Sequence, residues 1–127
     1  MPLVRIDMQR QSDPSYPRQV GAAVYEAMRH TINVPDKDNF QILTEHDETH
    51  FVFDPGYLDI PRSSRLIYIQ ITLNEGRTLD QKRALYKTIV ERLAPLDVRP
   101  EDVFINLVEV KRENWSFGNG VAQYANP

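Results

Sequence analysis

Residues 65–110 read "RLIYIQITLNEGRTLDQKRALYKTIVERLAPLDVRPEDVFINLVEV", and the order of elements in that stretch decides the fold. "RLIYIQITL" is a strand, a short apolar run that stops at the polar turn "NEGRT". Thr78 is followed three residues later by Gln81, the signature of a capping box at a helix start. Leu85, Ile89 and Leu93 then recur at helical spacing, with Tyr86 and Val90 beside them, until Pro95 ends the helix. "DVFINLVEV" supplies a second strand. A strand, a helix and a strand in that order set the two strands in parallel, joined by a right-handed crossover.

The first 46 residues repeat the scheme. "PLVRIDM" alternates Leu3, Arg5 and Asp7 with Val4, Ile6 and Met8, the two-residue period of a strand. Asp13, with Pro14 in the first turn, or Ser15 slightly later offers a helix cap. Val20, Ala23, Val24, Ala27 and Met28 predict a helix over 14–32 that ends before Pro35. "NFQILTEH" gives the next strand, with Phe40 and Ile42 on one face and Gln41 and Leu43 on the other.

One domain of four parts follows: a first β-α-β unit (1–46), a polar connection (47–64) with a short extended piece at "HFVF", a second unit (65–110) and a tail (111–127) that folds over something. The expected class is α/β, with duplicated β-α-β units forming a four-stranded mixed sheet. A pseudo-twofold axis makes the halves antiparallel and puts both helices on one face. The other face keeps apolar side chains that this chain does not cover, so a homo-oligomer is expected.

Composition narrows the function. At 127 residues, with 41% hydrophobic and 26% charged, the chain reads as one soluble globular domain. A net charge of −3 gives no electrostatic reason for a nucleic-acid or anionic-membrane partner. The absence of cysteine excludes disulfides, thiolate nucleophiles and cysteine metal sites. Arg5 and Asp7 interrupt the first apolar run, and no run approaches the roughly 20 residues of a membrane span, so a cytoplasmic location is expected. His30, His46 and His50 are the candidate nitrogen ligands, but "EHDETH" lacks the His-Glu-x-x-His register. Neither metal nor cofactor is expected.

The expected topology brings four candidates to one sheet edge. Pro2 and Asp38 lie at the amino ends of the first two strands, and Arg77 and Trp115 follow the carboxyl ends of the last two. Arg77 stands just before the capped helix, where unpaired amides and the helix dipole favour an anion, and its guanidinium can hold a carboxylate through two parallel hydrogen bonds. Asp38 belongs to the turn "PDKDNF", with Asp36 and Lys37 as its solvated neighbours. Trp115 and Phe117 read as a wall or lid. Pro2 becomes a free secondary amine if Met1 is removed; burial disfavours its charged form and a neighbouring carboxylate favours it, so it can be tuned as acid or base near neutral pH.

With "PLVRID", "VPDKDNFQI", "RSS", "DQKRALY", "PEDVFINLVE" and "WSFGNG" in that order, the chain resembles the tautomerase superfamily, and within it the malonate semialdehyde decarboxylase group. The resemblance runs from Pro2 to about Tyr124. It implies assembly as a homotrimer or hexamer, and catalysis by an amino-terminal proline exposed when methionine is removed. Pro2, Asp38 and Arg77 match the group's proline, aspartate and second arginine. Its first arginine has no match, because Asn74 or a neighbour stands there in "LNEGRT". "EGRTLDQK" is similar instead to 4-oxalocrotonate tautomerase, whose arginine at the matching point binds a substrate carboxylate. The expected function is therefore a small oxo-acid tautomerase, with Pro2, Asp38 and Arg77 catalytic and Asn74, Trp115 and Phe117 binding substrate. A malonate semialdehyde decarboxylase or hydratase assisted by Asp38 is the alternative. A non-catalytic binding protein is the third reading, against which the retained Asp38 and Arg77 speak. Arg10 and Arg62 read as surface residues, with a neighbouring subunit's site as their other possible place.

Overall fold

The computed structural model describes residues 1–125; of the tail, residues 126 and 127 lie outside the described part. Strands β1 (Leu3–Gln9), β2 (Phe40–His46), β3 (Ile67–Asn74) and β4 (Val103–Val110) form one sheet, with helices α1 (Tyr16–Ile32) and α2 (Leu79–Leu93) as crossovers. The strand order is β2-β1-β3-β4. β1 runs parallel to β2 and β3 parallel to β4, while β1 and β3 are antiparallel with Ile6 opposite Ile69. This is the duplicated, mixed four-stranded arrangement expected from the sequence.

The period of each strand explains the core. Val4, Ile6 and Met8 of β1 and Ile67, Ile69, Ile71 and Leu73 of β3 point to one face, none more than 1% exposed. They meet Val20, Val24, Ala27 and Met28 of α1 and Leu85, Ile89 and Leu93 of α2. Each such side chain contributes about 1.5–3 kcal/mol by leaving water. The capping box at Thr78 and Gln81 forms with both of its hydrogen bonds. α1 starts two residues later than expected, because Ser15 is its N-cap residue and Pro17 enters its first turn. Asp13 shapes the preceding turn instead, accepting hydrogen bonds from the Ser15 amide and hydroxyl at 2.9 and 2.8 Å.

In the connection, "HFVF" joins no strand of the sheet, and Phe51 within it has the extended backbone expected of this piece (φ −132°, ψ 97°). Phe51 is buried as a plug, its ring 5.2 Å from that of Tyr68 and 5.9 Å from that of His46. Tyr68 donates its hydroxyl proton to the Val52 carbonyl at 2.6 Å. Ring packing and a side-chain donor, rather than a backbone ladder, hold the extended segment. Arg62 is taken up within the same loop, donating to the carbonyls of Asp54, Tyr57 and Ile60, and Arg10 pairs with Asp47 at 2.9 Å. Away from the connection, the sheet face opposite the helices stays open, with Phe40 51%, Ile42 40%, Phe104 45% and Val108 37% exposed.

Candidate active site

Because the two β-α-β units run antiparallel, the amino ends of β1 and β2 share an edge with the carboxyl ends of β3 and β4. Pro2 is buried there, immediately before β1. The amine of Met1 lies 3.8 Å from Asp38 Oδ2. Asp38 is only 8% exposed, and its Oδ1 is buried without a hydrogen-bond partner. Burial pushes the pKa of the Met1 amine below its ordinary value; the Asp38 carboxylate opposes that shift, and Arg77 and Arg112 reinforce it. This edge therefore already couples an amine, a carboxylate and two guanidiniums. With Met1 in place, the Pro2 nitrogen is an amide and carries no proton.

The end of β3 holds the other half of the site. Gly76 has a φ of 118°, a conformation that an L side chain rarely adopts, and it turns the chain so that Arg77 stands at the start of α2. Arg77 Nη1 donates to the Asn74 carbonyl at 2.9 Å, which ties the guanidinium back to the strand end. Trp115 Nε1 donates to Asn74 Oδ1 at 2.7 Å. An indole N–H can only donate, so the Asn74 amide must turn its oxygen to Trp115 and its NH₂ group away. Trp115 stacks on Phe117 at 5.4 Å, and Phe117 meets Tyr124 edge-on at 4.7 Å. The tail thus folds back over the edge. A cleft of about 490 Å³ opens between these groups, lined by Met1, Asn74, Gly76, Arg77, Gln81 and Arg112 among others.

The structure accordingly brings Pro2, Asp38, Asn74, Arg77 and Trp115 to one sheet edge; Asn74 and Arg77 line the cleft, while Trp115 stands behind Asn74 with Phe117 stacked on it, and neither ring lines the cleft. Sequence reasoning missed Arg112, Gln81 and Tyr124. Gln81 carries only a capping signal in the sequence, and Arg112 follows the end of β4 by two residues much as Arg77 follows that of β3 by three. That strand-end position is the signal in the sequence that points to Arg112. His46 lies outside this edge and pairs with Asp7 at 2.6 Å. Among the described residues, no group of three His, Cys, Asp or Glu side chains is placed to hold a metal ion, and no helix is long and apolar enough to cross a membrane.

A duplicated β-α-β sheet with a cleft at its mixed edge defines a class of small α/β proteins, and comparison with known proteins gives the family. Models described as "Tautomerase enzyme" match residues 38–118 and 2–59. "Probable tautomerase YusQ" of Bacillus subtilis (strain 168) is 41% identical over 124 residues, covering 97% of this chain and 98% of the relative. The chain belongs to the tautomerase family of enzymes. Among solved structures, the FG41 malonate semialdehyde decarboxylase inhibited by 3-bromopropiolate superposes with a TM-score of 0.90 at 36% identity, covering 96% of this chain and 93% of that one. A second malonate semialdehyde decarboxylase, described in wild-type, mutant and inactivated forms as a basis for decarboxylase and hydratase activities, gives 0.89 at 27%, covering 96% and 95%.

Proposed function

We propose that this protein is a cofactor-independent tautomerase of small oxo acids, with the amine of Pro2, freed by removal of Met1, as general acid and base. The observation that carries the reading is the placement of the amino terminus, beside a buried carboxylate and in a cleft that also holds a guanidinium. Arg77 binds the substrate carboxylate. The Asn74 NH₂ group, turned outward by Trp115, donates to the substrate's carbonyl or enol oxygen. Neutral Pro2 takes a proton beside the carbonyl, the electron pair moves toward oxygen, and the same nitrogen returns the proton one or two atoms away. Trp115, backed by Phe117, supplies an apolar wall behind Asn74 that excludes water and strengthens the charge interactions.

The second reading is decarboxylation or hydration of a 3-oxo acid. It is favoured by the buried Asp38, whose carboxylate faces the amino terminus and has one oxygen without a hydrogen-bond partner, and by the likeness to two malonate semialdehyde decarboxylases. In that reaction protonated Pro2 polarises the carbonyl and Arg77 orients the carboxylate. The carbon–carbon bond then breaks, carbon dioxide leaves, and the enolate takes up a proton. The assembly is a homotrimer in either case, a proposal supported by the open apolar face at Phe40, Ile42, Phe104 and Val108.

Intact-mass analysis followed by turnover assays on the same sample tests the reading, with phenylpyruvate enol, 2-hydroxymuconate and malonate semialdehyde as substrates. The expected result is a mass lacking methionine, turnover of at least one substrate, and a loss of about 10²- to 10⁴-fold in Pro2→Ala with fold and assembly intact. Retained methionine with full turnover, or an unaffected Pro2→Ala, would refute it. The substrate ranking separates tautomerase from decarboxylase.

A further inference from the structure

Two arginines reach the cleft from neighbouring strands. β3 and β4 are parallel, with Asn74 opposite Val110, so their carboxyl ends emerge side by side. The Glu75 amide locks that exit by donating to the Val110 carbonyl at 2.9 Å. Arg77 stands three residues beyond this pair and Arg112 two residues beyond it, and both line the same cleft.

Their surroundings differ in a way that separates their tasks. Arg77 is tethered to the strand end through the Asn74 carbonyl. Arg112 is exposed, its guanidinium 6.0 Å from the centroid of the Tyr124 ring. Among the described residues neither arginine makes an ion pair, although Lys82, Arg99 and Arg29 all do. Glu75 and Glu113 lie near Arg112 without pairing with it. Arg112 also lines an adjoining cavity of about 850 Å³ together with Glu75, Lys111 and Tyr124, so its guanidinium is shared between the two spaces. That both guanidiniums depress the Met1 amine is the electrostatic sign that they share one space with the amino terminus.

We infer that Arg112 is a second anion-holding residue of this site, and that with Arg77 it selects substrates carrying two carboxylates over those carrying one. The inference rests on the proposed assignment of the cleft as the active site with Arg77 on the first carboxylate. Arg77 grips the carboxylate next to the reacting oxo or enol group, and Arg112 receives the far carboxylate of an extended diacid where the two cavities adjoin. It thereby supplies, from the neighbouring strand, a positive charge that "LNEGRT" does not provide a second time.

Equilibrium binding tests this without requiring turnover. Titration calorimetry compares four- and six-carbon unsaturated diacids with their monomethyl esters, against protein whose mass shows Met1 removed. Wild-type protein is expected to bind a diacid about tenfold tighter than its ester, equivalent to about 1.4 kcal/mol. Arg112→Gln should bring that ratio to about one while leaving ester affinity unchanged, Arg112→Lys should restore part of it, and Arg77→Gln should weaken both ligands. Equal affinity for diacid and ester at both lengths in the wild type, or an unchanged ratio in Arg112→Gln, overturns the inference. Pro2→Ala in the same titration keeps the two readings distinct. A diacid preference in wild-type protein that turns over no substrate leaves Arg112 assigned and removes the tautomerase, whereas wild-type turnover without preference does the reverse; Pro2→Ala is expected to lose turnover and keep the preference.

Discussion

Trp115→Phe isolates one hydrogen bond that bears on both stability and the proposed chemistry. The substitution removes the Nε1–H that Asn74 Oδ1 accepts at 2.7 Å, while a six-membered ring remains to stack on Phe117. Asn74 is only 6% exposed, so its oxygen loses a partner that water does not readily replace. An orphaned buried acceptor costs about 1–3 kcal/mol, the loss expected in urea unfolding. The kinetic consequence is separate. With the indole gone, nothing fixes which end of the Asn74 amide faces the cleft, so the donor aimed at the substrate oxygen becomes disordered. Deleting a fixed donor of this type costs about 10²- to 10³-fold. Disordering it should fall at or below the lower end, roughly 10- to 100-fold in kcat/KM on the best substrate of the panel. Asn74→Ala with Trp115→Phe completes a double-mutant cycle, in which the two losses should be far from additive. Stability lowered by about 1–3 kcal/mol with kcat/KM unchanged would refute the oriented-amide argument, and unchanged stability would refute the hydrogen bond itself.

Three further outcomes follow from packing and capping. Leu85 is fully buried between α2 and the sheet, so Leu85→Ala should lower unfolding free energy by about 2–5 kcal/mol, measured by chemical denaturation. Thr78→Ala removes half of the capping box at the start of α2 and should cost about 1 kcal/mol by the same assay. Phe104→Asp places a charge on the open sheet face and should convert the assembly to a folded monomer in sedimentation velocity; an unchanged sedimentation coefficient would show that this face is not the interface.

The fold was legible because its signals are local and repeated. The two-residue period at Val4, Ile6 and Met8, the helical recurrence at Leu85, Ile89 and Leu93, and the reciprocal cap at Thr78 and Gln81 each name an element without reference to the rest of the chain. The β-α-β order then dictates which strand ends meet, and so places Pro2, Asp38, Arg77 and Trp115 at one edge. Features that depend on a distant partner were not legible. "HFVF" reads as an extended piece, but what Phe51 packs against, the rings of Tyr68 and His46, lies elsewhere in the chain. The same holds for the Asn74–Trp115 bond, whose members are 41 residues apart, and for Arg112, whose meaning comes from the register of β3 with β4.

The duplicated fold contains its own control for Asp38. Asp38 lies two residues before the second strand of the first unit, and Asp102 one residue before the second strand of the second. Both are buried, 8% and 1% exposed. Asp102 is satisfied: Ser63 donates its amide and hydroxyl at 2.7 Å each, and Arg99 Nε donates at 3.2 Å. Burial pushes the Asp102 carboxyl up, but the Ser63 and Arg99 hydrogen bonds outweigh it and hold it below the usual carboxylate range. Its stabilisation is therefore present above the unfolded pKa of about 3.9 and is lost as pH falls through the lower folded value. Asp38, by contrast, has an oxygen with no partner. Leaving a polar group buried and unpaired costs stability, so the proposed function assigns Asp38 to chemistry rather than to folding. The two should respond oppositely to substitution. Asp102→Asn should lower stability by roughly 2 kcal/mol at neutral pH, flatten its acid limb and leave kcat intact, because it weakens hydrogen bonds to a charge. Asp38→Asn should leave stability unchanged or raised while lowering turnover, most of all for hydration. Urea unfolding between about pH 3 and pH 7, a range spanning the unfolded carboxylate pKa, paired with the substrate panel, reads both. An Asp38→Asn protein that is destabilised yet fully active would reverse the assignment, making Asp38 a folding residue like its counterpart.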